Sequence, residues 1–90
     1  MHIKELEFRG IPLRHLSMYL EELGGETSSH SFPFCYRGEK WIAEILSEEE
    51  IAFTAAFKVN AVHIRFQADN NEILEELIIK FRKKTFRAGG

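Results

Sequence analysis

One thiol, four imidazoles and three arginines at alternating strand positions are the side chains of this 90-residue sequence with the means to do chemistry. Cys35 is the only cysteine. A nucleophilic Cys35 needs a base, which His63 best supplies, with Arg37 or Arg65 drawing down the thiol pKa. No recognisable triad spacing accompanies it, so catalysis is not expected, and the plainer reading makes Cys35 a small packed or edge residue and His63 a solvated strand histidine. His30 and Cys35 in HSFPFC give two ligands where zinc normally takes four, so no metal is expected. Arg9, Arg37, His63 and Arg65 share the outward side of the strands beside Glu5 and Glu7, a face that an anionic small ligand or a partner protein could use. Ordinary cross-strand ion pairing is the alternative.

A different chemistry is open to the closing TFRAGG. A terminal carboxylate that is adenylated becomes an acyl donor or a thiocarboxylate, and it must first thread a narrow channel. Glycine alone has neither a side chain nor a restricted backbone, so Gly89 and Gly90 are the candidates for C-terminal modification. The alternative is a helix cap or a tail. Just before them, KFRKKTFR interleaves aromatic and basic residues. That segment reads as compensation of a helix dipole, with Phe81 and Phe86 packed inward, rather than as an RNA or membrane contact.

The elements that position these groups follow from periodicity. KELEFRG alternates as a strand ended by Gly10. Leu13, Leu16, Leu20 and Leu23 then recur at three or four residues, with Pro12 in the first turn and Gly24 as a left-handed cap, which is an amphipathic helix. Phe32, Phe34 and Tyr36, a turn at 37–39, and Trp41, Ala43 and Ile45 form a hairpin, with Pro33 at an edge or bulge. After an acidic turn at SEEE, alternation resumes in IAFTAAFKV (Ile51, Phe53, Ala55, Phe57, Val59) and in AVHIRFQ (Val62, Ile64, Phe66), two further strands. DNNEILEELIIKFRKK is a second helix, capped from Asp69, Asn70 or Asn71 and acidic early, basic late. The expected fold is α+β in the order β-α-β-β-β-β-α, one domain over residues 1–90, with both helices on one face of an antiparallel sheet.

Composition sets the class of partner. Hydrophobic residues are 44% of the chain, and a formal net charge of −2 offers no positive field for phosphate backbones, so nucleic acid is not expected as a partner. No apolar run reaches the roughly 20 residues of a membrane span and MHIKELEF has no signal-peptide core, so no membrane contact and a cytoplasmic location are expected. The single cysteine agrees with a reducing compartment.

ELEFRGIP leading into YLEELGG, then VHIRFQ before the second helix and the closing RAGG, together resemble the C-terminal domain of MoaD-related proteins. In those proteins it follows a domain like the small subunit of molybdopterin synthase. The resemblance spans essentially the whole chain and implies a TATA-binding-protein-like β-α-β(4)-α fold. It further implies an association with molybdenum-cofactor biosynthesis or sulphur transfer, without cofactor and without an established activity. The sequence opens at Met1 on its first strand, so sulphur carriage by a preceding ubiquitin-like domain is not expected of it. The expected function is a non-catalytic binding or adaptor domain that self-associates or docks a protein partner through the open sheet face. The alternatives are a stand-alone carrier activated at Gly90 and a small-anion-binding domain using the outward sheet face.

Overall fold

A computed structural model describes the backbone of residues 1–89 and the side chains of residues 1–86; Gly90 lies outside the described residues. The chain runs β1 (His2–Arg9), α1 (Leu13–Glu22), β2 (Phe34–Gly38), β3 (Trp41–Ala52), β4 (Lys58–Ala68) and α2 (Asn71–Gly89). The strands form one antiparallel sheet in the order β1-β4-β3-β2. The α+β class and the two helices are as the periodicity implies, but the described residues form four strands rather than five.

The difference lies in IAFTAAFKV. Its first residues extend β3 and its last extend β4, so Ile51 pairs with Val59 and Ala52 with Lys58. The tight turn between them is closed by Phe53 N–H donating to the Phe57 carbonyl at 2.9 Å, while the Thr54 hydroxyl accepts from Phe57 N–H at 3.0 Å. Phe53 and Phe57 therefore stand at a hairpin tip in solvent instead of facing the core. The acidic SEEE is likewise strand, not turn: Glu48, Glu49 and Glu50 pair with Val62, Ala61 and Asn60. They lie beyond the reach of β2, which pairs no farther than Ile45, and charged side chains there guard the open strand edge.

Each helix is bounded by the residues its sequence offers. Gly24, at φ +100°, ends α1, with Gly25 N–H donating to the Leu20 carbonyl at 2.9 Å and Gly24 N–H to the Glu21 carbonyl at 3.0 Å. Those two bonds satisfy carbonyls that the helix would otherwise leave open. For α2 the cap is Asn70, whose side-chain oxygen accepts from Ile73 N–H at 2.9 Å. The Lys80 ammonium, hydrogen-bonded to Glu76 at 2.7 Å, holds that carboxyl below the ordinary carboxylate range, its charge adding to the bond. This exposed pair supports the helix at neutral pH and is lost as the pH falls through the lowered pKa.

Inward residues of the strands, Phe8, Ala43, Ile45, Val62, Ile64 and Phe66 among them, meet Leu16, Tyr19 and Leu20 of α1 and Leu74, Leu77, Ile78 and Phe81 of α2 in one buried cluster. Both helices thus cover the same face. Phe81 is fully buried, with its ring against Phe8, Phe66 and Tyr19 at centroid distances of 5.1, 5.4 and 6.2 Å. Phe86, by contrast, is 74% exposed and not packed inward. Phe32 also leaves the expected hairpin: β2 begins at Phe34, and Phe32 is exposed with its ring on Phe34 at 4.8 Å.

Asn60 ties the two ends of the sheet connection together. Its amide donates to the Ile11 carbonyl at 2.7 Å and to Glu48 at 2.9 Å, joining β4, β3 and the loop before α1. Asn60→Ala leaves that carbonyl without its partner and is expected to lower stability by about 1–2 kcal/mol, read from the urea midpoint.

Candidate functional site

The helices leave the other face of the sheet uncovered. Direct cross-strand pairing brings its outward residues into rows: Glu5, Arg65, Glu44 and Cys35 form one, and Glu7, His63 and Ser47 the next. The bulge between Ile45 and Ser47 restores the outward alternation on the far part of β3, so that Glu49 reaches the same face.

Most of the charge on this face is matched internally. Arg9 Nε sits 2.6 Å from Glu7 Oε1. Arg65 lies between Glu5 and Glu44, at 3.9 and 3.8 Å, and Gln67 donates to the same Glu44 oxygen at 2.8 Å. His63 Nε2 is flanked by carboxylates of Glu7 at 3.4 Å and Glu49 at 3.7 Å, with about a third of its side chain exposed. The carboxylates Glu5, Glu7, Glu44 and Glu49 outweigh the guanidiniums of Arg9 and Arg65 that they engage. This is a chequered, acid-leaning surface, and such half-exposed pairs are individually worth little.

Of the residues singled out in the sequence, Arg9, Arg37, His63 and Arg65 all lie on this side of the sheet as expected. Arg37 lies toward one end of the face on β2, two residues from Cys35 and opposite Ile42. It has no ion pair among the described residues and borders, with Lys40 and Asp69, a hollow of ≈270 Å³. An anion approaching the face therefore meets two arginines held by glutamates, Arg9 and Arg65, and one, Arg37, without an ion pair among the described residues. Cys35 and His63 also share the face, but β3 runs between their strands and separates them by about 10 Å, two strand spacings. No hydrogen bond joins nucleophile and base at that range. His30 is exposed in the loop before β2, and no group of three metal-ligating side chains occurs among the described residues. No helix among them is long and apolar enough to cross a membrane. Of the glycine pair, Gly89 is the last residue of α2 and Gly90 lies outside the described residues.

Sequence reasoning missed the glutamates that complete the face. Glu44 and Glu49 come from β3, and only the β4–β3 register shows that they meet Arg65 and His63. The opposite helix face holds a larger concavity of ≈580 Å³, where Leu23, Trp41 and Leu77 meet Lys40 and Lys80.

Among curated proteins, none matches this chain. The profile of the archaeal MoaD-like proteins does match, from residue 4 to residue 90, taking in all but the first two residues of β1, the other three strands and both helices. By that span the chain belongs to the archaeal MoaD-like protein family.

Proposed function

We propose that this chain is a non-catalytic protein-binding module, corresponding to the C-terminal domain of MoaD-related proteins, that works beside the proteins of molybdenum-cofactor biosynthesis or sulphur transfer in the cytoplasm. The observation that carries the reading is the uncovered outer sheet face, in which Glu5, Glu7, Glu44 and Glu49 surround Arg9, His63 and Arg65. A rigid sheet presenting fixed charges of both signs with an acidic excess fits a protein surface that is mainly basic, and it repels phosphate backbones. Family membership supports the metabolic setting.

The experiment is capture of partners from native lysate on the tagged full chain, alone and lacking Gly89 and Gly90. Recovery of the same cofactor-biosynthesis or sulphur-transfer protein by both forms is the expected result. Recovery of none counts against the reading, and loss of every partner on deleting the glycines turns it toward a carrier activated at Gly90.

A further inference from the structure

Two exposed surfaces of the molecule complement each other, and only Glu49 of the first also belongs to the sheet face. The first is the ribbon formed by the far halves of β3 and β4. Past Ile45 it has no neighbour on the β2 side, and past Ala61 none in the β1 ladder, so it projects as a two-stranded arm. At its tip Phe53 and Phe57 are 54% and 58% exposed, their rings 5.8 Å apart. The backbone and Thr54 bonds that close the turn hold the two rings in place, so presenting them costs little ordering on binding. Glu48, Glu49 and Glu50 flank the tip and stand in solvent.

The second surface lies on α2. Ile79, Arg82, Lys83 and Phe86 are spaced three, one and three residues apart and share one exposed side of the helix. Ile79 is 54% and Phe86 74% exposed. Lys80 and Lys84 are paired with Glu76 and Glu22, whereas Arg82 and Lys83 have no ion pair among the described residues. An apolar pair enclosing two unspent cations thus matches an aromatic tip flanked by three carboxylates, which outnumber the one lysine beside them, Lys58, 3.6 Å from Glu50.

We propose that the arm of one copy docks on the α2 stripe of a second copy, the phenylalanines of the tip against Ile79 and Phe86, and Glu49 and Glu50 against Arg82 and Lys83. Each copy carries one arm and one stripe, so two copies exchange two identical contacts about a two-fold axis. The same glutamates turn the tip away from anionic lipid headgroups and from nucleic acid, where exposed aromatic rings would otherwise insert or stack. The contact shares Glu49 with the outer sheet face, but Phe53, Phe57 and the α2 stripe lie outside the residues of that face, so the tip variant tests it separately from the function proposed above.

Sedimentation velocity across micromolar to millimolar concentration tests it on the full chain. The expected result is a reversible dimer that weakens as salt is raised. Phe53→Ser with Phe57→Ser weakens association at least about tenfold. Glu49→Lys with Glu50→Lys, and Arg82→Glu with Lys83→Glu, each lose the dimer alone and recover it when the two variants are mixed. These positions are exposed, and unchanged circular dichroism is the control for folding. A parent chain that stays monomeric over the whole range, a tip variant that dimerises as the parent does, or a mixture that fails to associate overturns the proposal.

Discussion

Phe81→Ala is expected to remove about 3–5 kcal/mol of stability, the cost of truncating a fully buried phenylalanine and leaving a cavity. The ring touches aromatic neighbours from three elements: Phe8 of β1, Phe66 of β4 and Tyr19 of α1. No other single side chain of α2 links both the sheet and the first helix through ring contacts among the described residues. A domain of this size has about 5–13 kcal/mol to lose, so the variant forfeits a large share of its stability. Urea denaturation followed by circular dichroism reads the shift in midpoint. A loss below about 1 kcal/mol would mean that the site collapses around the gap or that α2 is not anchored there.

Gly38→Ala is expected to be nearly as damaging, for a steric reason. A Cβ on Gly38 falls inside the indole of Trp41, contacting Cε2, Cζ2 and Nε1. The indole is tightly placed at its other end as well, since a Cβ on Gly25 would stand only 2.9 Å from Cη2. The indole must therefore leave its slot, giving up the burial of the only tryptophan at a cost of about 3 kcal/mol. Trp41 emission should shift to the red together with the loss of stability. Gly10→Ala makes a useful contrast: a Cβ there meets nothing within 4 Å, so only the φ of +75° resists it. Its expected cost is about 1 kcal/mol with unchanged emission. Equal effects from the two substitutions would remove the steric account.

How far these features could be read in the sequence depends on whether their signals are local. Gly24 after a three-and-four repeat of leucines predicts both the helix and its end, and the structure has both. Alternating Val62, Ile64 and Phe66 likewise predicts an inward row that is fully buried. The turn at 53–57 escapes because it contains no glycine, proline or asparagine, and its residues continue the alternation of the strands on either side. Asn60, the one turn-forming residue nearby, spends its amide on Ile11 and Glu48 instead. The site was half legible for a related reason. Alternation puts Arg9, Arg37, His63 and Arg65 on one face, but which glutamates they meet is a property of register between strands distant in sequence. Phe86 shows the limit from the helix side: its spacing permits an inward place, yet α2 has turned it to solvent by that point.

The measurement closest to the central claim is partner capture on the full chain with the outer face reversed. Glu5→Lys with Glu44→Lys leaves the core untouched, strips Arg65 of both its carboxylates and inverts the charge that a partner would meet. The account predicts that the partner recovered by the parent chain is lost from this variant while circular dichroism is unchanged. Undiminished recovery of the same partner would contradict it, and would move the binding surface off the sheet.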